Sequence, residues 1–153
     1  MHLAVKQSEL ITRLADVAKG VFAGTDVFLA YAFGSRIVGR PRCNSDLDVG
    51  YYVSGRPGSS ALSVRQEMTL ACRLSAQLGV DVDLHDLGQA SLEFRGRVLE
   101  DGVRIYCADP VARVNLERDL LGRYHDYKAE LLHMHDVRLR RRALTGSRVI
   151  HGR

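Results

Sequence analysis

Apolar residues recur along this chain in two rhythms, and the rhythm changes several times. Over residues 7–23, Leu10, Ile11, Leu14, Val17, Ala18 and Val21 fall at helical spacing, and Gly24-Thr25-Asp26 then breaks the helix. The run Val27–Phe33 (VFLAYAF) is short, aromatic and aliphatic, and ends at a glycine, as a buried strand does. Residues 35–39 predict a short helix stopped by Gly39 and Pro41, and Leu47–Val53 (LDVGYYV) predicts a second strand. Residues 54–60 have the composition of a loop. Helical spacing returns over 61–78, through Leu62, Val64, Met68, Ala71, Cys72, Leu74, Ala76 and Leu78, with Gly79 where a C-cap glycine belongs. Val80–Leu87 alternates, with Val80, Val82 and Leu84 on one face and Asp81, Asp83 and His85 on the other.

A short helix over 91–100 and a last strand at Val103–Cys107, placed at a sheet edge, follow. A long helix then starts at Pro110 with Asp109 as its N-cap and persists to about Leu144. Tyr124 and Tyr127 are expected to pack this helix onto the sheet, with Arg118 and His125 facing solvent. The element order predicts a small mixed α/β or α+β domain with about four strands.

Composition narrows the setting. A chain of 153 residues suits one domain with a real core, and no apolar run approaches the roughly 20 residues of a membrane helix. The N-terminal segment is mixed and charged, unlike a secretory signal, so a cytoplasmic protein is expected. Cys43, Cys72 and Cys107 are far apart and read as isolated thiols. The net charge of +4 is uneven: residues 138–153 hold six arginines and no acid. The expected division is therefore a domain over 1–144 and a flexible basic tail over 145–153. No aromatic residues interleave the arginines, so the charge alone does not predict nucleic-acid binding.

The chemistry lies in the carboxylates. Asp46 and Asp48 are two apart on a predicted strand, so they share a face. Side by side they repel, and a divalent cation both removes the repulsion and uses their oxygens. Asp83 stands on the polar face of another strand; Asp81 has the same parity, so alternation does not choose between them, whereas Asp86 has the opposite parity. Three carboxylates from neighbouring strands suit two Mg²⁺ ions that clamp a phosphoryl displacement. Gly34 permits close backbone approach, Ser35 offers a hydroxyl, and Arg36 offers charge, at a turn whose N–H groups suit a phosphate. A triphosphate at residues 34–36 and metals at Asp46 and Asp48 fit nucleotidyl transfer with release of pyrophosphate.

Gly34-Ser35, ten intervening residues, then Asp46-Leu47-Asp48 resembles the signature of the DNA polymerase beta-like nucleotidyltransferase superfamily, and Ser45 fits as well. Val82–Leu87 resembles the family's third-strand motif, with Asp83 as third carboxylate. Over its whole length the chain is similar to MntA-type minimal nucleotidyltransferases, which end in one long helix. That resemblance implies a polymerase beta-like fold and an antitoxin of a type VII-like pair. It implies transfer of AMP from ATP, with Mg²⁺, to a tyrosine of a HEPN ribonuclease toxin of the HepT type. Asp46 and Asp48 would bind metal, Asp83 would bind the catalytic metal and help activate the hydroxyl, and Gly34, Ser35 and Arg36 would seat the triphosphate. Short length fits an acceptor brought by a partner, because larger relatives carry an acceptor-binding domain of their own. The alternatives are a small-molecule nucleotidyltransferase of the aminoglycoside-modifying kind and an idle antitoxin acting by occlusion.

Three features stand beside the motif. His85 shares Asp83's face and is expected as a solvated or hydrogen-bonded histidine rather than a ligand. Arg36, Arg40 and Arg42 flank the phosphate seat and are expected to contact phosphate or partner. Arg118, His125 and Tyr127 mimic the HEPN ribonuclease motif, but that motif belongs to an all-helical domain and this chain carries strands. Gly50 departs from the family pattern and is expected to weaken its strand slightly.

Overall fold

Residues 2–39, 45–54 and 61–148 are described by the computed structural model. A four-stranded mixed sheet lies at its centre, built from β1 (Val27–Phe33), β2 (Leu47–Val53), β3 (Val82–Asp86) and β4 (Val103–Cys107). The spatial order is β3-β2-β1-β4, so β4 takes an edge as its pattern predicts. β1 runs antiparallel to both neighbours, and β2 and β3 are parallel. Parallel neighbours need a crossover, which helix α3 (Val64–Leu78) supplies. Helices α1 (His2–Phe22), α2 (Ser35–Val38), α4 (Leu92–Asp101) and α5 (Pro110–Arg148) complete an α+β architecture.

Strand β1 is apolar without alternation because it is buried on both faces. Val27, Ala30 and Ala32 join Leu14, Ala18, Val21 and Phe22 of α1 and Leu70, Leu74 and Leu78 of α3 in the larger core. Phe28, Leu29 and Tyr31 turn to the opposite face, where Val98 of α4 and the first turns of α5 cover them. A register shift between Val27 and Leu29 puts Phe28 and Leu29 on that same face. Phe22, Leu14 and Leu74 are fully buried, and each contributes roughly 1.5–3 kcal/mol of transfer free energy.

Several local expectations shift by a few residues for identifiable reasons. α3 starts at Val64 rather than 61, because Ser63 and Gln66 form a capping box: the Gln66 N–H donates to Ser63 Oγ at 3.2 Å, and the Ser63 N–H donates to Gln66 Oε1 at 2.8 Å. Gly79 closes α3 in the left-handed conformation, and its N–H donates to the Ser75 carbonyl. Asp109 caps α5 through the Ala112 N–H at 3.0 Å. Gly50 is a space requirement rather than a weak point: a Cβ there would lie 2.6 Å from Leu87 Cδ1, and Leu87 is fully buried.

The last helix packs differently from its expected seat. Its first turns reach the sheet through Ala112 and Leu116, but Tyr124 lies over α4, where a Cβ at Gly96 would come within 2.3 Å of its ring. Tyr127 also turns to α4, its hydroxyl donating to Glu93 at 3.4 Å. Arg118 and His125 are exposed, as expected. The helix continues to Arg148, so the expected division at 145 falls within it, and 149–153 lie outside the described residues. Cys72 is exposed and Cys107 half-buried, both as free thiols; Cys43 and the 55–60 loop lie outside the described residues. Among the described residues no helix is long and apolar enough to cross a membrane.

Tyr31 and Tyr51 fasten the sheet to its helices. The buried Tyr31 hydroxyl donates to Glu117 of α5, and the Tyr51 hydroxyl donates to Glu67 of α3. Burial, then the hydrogen bond and charge of each carboxylate, raise both phenol pKa values far above the tyrosine range. Tyr52 is raised by burial, against the opposing pull of Arg95, whose Nε lies 3.3 Å from its hydroxyl. In the unfolded chain these phenols ionise near pH ~10, whereas the fold holds them protonated. Their contribution to stability is therefore full below about pH 10 and falls as the pH rises further. In an alkaline titration followed by phenolate absorbance and circular dichroism, these three of the six tyrosines are expected to ionise only as the fold is lost. Ionisation of all six near the ordinary value with the fold intact would contradict this.

Candidate active site

The site begins with the pleat of β2. Alternation sends Leu47, Val49 and Tyr51 into the larger core, which leaves Asp48 on the opposite face. In β3, Val82 and Leu84 enter the same core, which leaves Asp83 and His85 on Asp48's side. The parallel register then sets Asp48 beside Asp83 and Gly50 beside His85. Across the other edge of β2, Phe33 at the end of β1 stands opposite Asp48.

His85 lies between the two carboxylates. Its Nε2 is 3.2 Å from Asp48 Oδ1 and 3.3 Å from Asp83 Oδ2. The rings of Phe33 and Phe94 stand 5.5 and 6.0 Å from the imidazole, forming an aromatic wall that sequence reading missed. Phe94 comes from α4, and residue spacing gives no signal that this helix returns over the end of β3. Asp48 and His85 are about one-third exposed, and Asp83 is more open at 59%.

Gly34 meets Asp48 directly. Its φ of 86° and ψ of −169° lie in a region that only glycine adopts readily. A Cβ at this position would stand 2.5 Å from Asp48 Oδ2, so the bare backbone abuts the carboxylate. α2 follows at once. The N–H groups of Ile37 and Val38 both donate to the Gly34 carbonyl at 3.1 Å, so those two donors are spent within the turn. Ser35 and Arg36 are half-buried beside it, and the Arg36 Nε donates to the Ser45 carbonyl, tying the turn to the start of β2.

Asp46 stands one residue before β2 and is exposed. With Arg36, Ser45 and Asp81 it lines a shallow cavity of about 300 Å³. Asp81 likewise precedes its strand, its carbonyl accepting from the Leu47 N–H at 2.8 Å. Asp86 ends β3, where its carboxylate caps a single 3-10 turn through the Gly88 N–H at 2.9 Å. Of the three arginines flanking the motif, Arg40 and Arg42 lie outside the described residues.

Donor chemistry decides what such a cluster can hold. Among the described residues, Asp48, Asp83 and His85 bring one ligand atom each within 4.8 Å of one another, and Asp46 does not join them. Two carboxylate oxygens and an imidazole nitrogen fit a divalent cation, since hard oxygen donors neutralise its charge and offset their own repulsion.

Comparison with known proteins matches this arrangement to a family. The polymerase beta nucleotidyltransferase family matches residues 18–111, more than half of the chain. No curated protein sequence matches. Solved structures share the fold. One, a toxin–antitoxin complex with AMP-PNP, has a TM-score of 0.62 at 23% identity, over 82% of this chain and 98% of the other. A MntA-HepT toxin–antitoxin complex has 0.57 at 20% identity, over 86% and 98%. A tri-AMPylated Shewanella oneidensis HEPN toxin in complex with MNT antitoxin also has 0.57 at 20% identity, over 87% and 98%. With the Gly-Ser turn, the paired β2 and β3 carboxylates and a match that spans the whole sheet, the chain belongs to the polymerase beta nucleotidyltransferase family.

Proposed function

We propose that this protein is an antitoxin that transfers AMP from ATP to a tyrosine of a HEPN ribonuclease, and so silences it. The observation that carries the nucleotidyl-transfer part is the register of Asp48 against Asp83 with the Gly34 backbone at Asp48. The antitoxin part is supported by the fold shared with toxin–antitoxin complexes, one holding AMP-PNP and one an AMPylated HEPN toxin.

Each residue's part follows from its chemistry. Asp48 and Asp83 would hold Mg²⁺, which when bound neutralises the phosphate charge and lowers the cost of pyrophosphate departure; Asp46, expected to join them, stands outside their cluster. Gly34, Ser35 and Arg36 would seat the triphosphate: Gly34 by close backbone approach, Ser35 by its hydroxyl, Arg36 by charge. Asp83, the most open of the clustered carboxylates, would orient the tyrosine hydroxyl and take its proton. The phenol oxygen then bonds to the α-phosphorus, the bond to the β-phosphate oxygen breaks, and pyrophosphate leaves with that electron pair. The Phe33 and Phe94 wall offers the acceptor ring an apolar side.

The test uses the purified chain, Mg²⁺, ATP labelled in the α-phosphate, and a co-encoded HEPN protein. Label is expected on a tyrosine of that partner and on no aminoglycoside. Label on a small molecule alone, or none with any acceptor, overturns the proposal.

A further inference from the structure

We infer that His85 is itself a metal ligand, and that its nitrogen turns the site's preference toward first-row transition dications such as Mn²⁺ over Mg²⁺; the inference rests on the metal-dependent reading above. His85 sits two residues beyond Asp83 on one face of β3, so both project toward the same opening. Its Nε2 is almost equidistant from a carboxylate oxygen of Asp48 and one of Asp83, at 3.2 and 3.3 Å. One ring nitrogen carries a single N–H or a single lone pair, so it does not serve two carboxylates equally well by hydrogen bonding. A cation among the three engages all of them at once. Metal–ligand bonds of about 2.1 Å leave neighbouring donor atoms roughly 3 Å apart, close to the two spacings found. The ring is also held in place by its contacts with Phe33 and Phe94.

Donor type then sets the preference. Carboxylate and water oxygens suit Mg²⁺, whereas imidazole binds first-row transition ions more strongly than it binds Mg²⁺. Asp46, which would complete an all-oxygen set, does not join the cluster, while His85 does.

The probe is Mn²⁺ alone, added to the full wild-type chain without nucleotide. Pulsed electron paramagnetic resonance is expected to show nitrogen modulation from a directly bound imidazole. In His85→Asn that modulation should vanish, Mn²⁺ affinity should fall roughly 10-fold or more, and Mg²⁺ affinity should change far less. Mn²⁺ binding without nitrogen modulation in the wild type overturns the inference and leaves nucleotidyl transfer standing. Modulation that persists in His85→Asn also overturns it, because one of the other five histidines would then be the donor. Failure of the wild type to bind Mn²⁺ or Mg²⁺, with or without ATP, overturns this inference and the metal-dependent reading together. Should His85→Asn not fold by circular dichroism, His85→Gln takes its place with the same expected loss of modulation.

Discussion

Asp48→Asn is expected to abolish labelling of the HEPN partner, a loss of at least about 10³-fold in initial rate, while leaving the fold intact. Asparagine keeps the shape of the side chain and removes its charge. That charge sits beside Asp83 in the parallel register, contacts His85 at 3.2 Å and abuts the Gly34 backbone, so no neighbour can take its place. Stability should move by less than about 1 kcal/mol, because the side chain is one-third exposed and its pairing with His85 is partly solvated. Adding Asp46→Asn should lower the residual rate little further, since Asp46 stands outside the cluster. The checks are label incorporation beside thermal unfolding of the same preparation. Neutralisation of the toxin should fall together with labelling. Full neutralisation by an Asp48→Asn chain that transfers no label would mean that binding alone silences the toxin, and the proposed function would be wrong.

Legibility of the fold from sequence depended on whether a feature is local. β1 and β2 end where their residue patterns end, because burial and the following Gly34 or Ser54 both act locally, and β4 spans the Val103–Cys107 run as expected. The start of α3 was recoverable too: Ser63 followed three residues later by Gln66 is a capping signal, and helical spacing alone overlooks it. What spacing does not supply is the identity of the neighbour. Tyr124 and Leu120 share a helix face in the sequence, yet only the structure shows that the space beside Tyr124 comes from Gly96 of α4. Gly50 is the same lesson inverted, since an isolated strand glycine reads as a weakness until Leu87 is seen above it. At the site, Asp48 and Asp83 fell on the polar faces of their strands by alternation. Their pairing in register, the placement of His85 between them and the Phe94 wall all depend on contacts between distant segments. Asp81 and Asp83 were indistinguishable by parity, and it is the start of β3 at Val82 that separates their surroundings.

Gly34→Ala is expected to lower transfer by about 10²-fold or more and to weaken Mn²⁺ binding, although it touches neither charge nor hydrogen-bonding side chain. Two costs arise from one methyl group. The first is conformational: at φ 86° and ψ −169° an alanine is strained by roughly 1–3 kcal/mol. The second is steric, because the new Cβ would stand 2.5 Å from Asp48 Oδ2. That oxygen belongs to a side chain that is one-third exposed, so the carboxylate rotates away more readily than the sheet deforms. Relief of the clash therefore falls on the very group that the cation needs, and a misplacement of about 1 Å is enough for the expected loss. Thermal unfolding should show a decrease of no more than a few kcal/mol, which separates a displaced carboxylate from a lost fold. A second substitution tests the route of the effect. Gly39→Ala also faces a positive φ of 84°, but its nearest neighbour is the Gln7 side chain at 3.7 Å rather than a site carboxylate. It should cost comparable backbone strain while leaving Mn²⁺ affinity within about 3-fold of the wild type. Equal losses of Mn²⁺ affinity in the two variants would assign the effect to general loosening of the 34–39 turn, and the direct contact between Gly34 and Asp48 would then not be its cause.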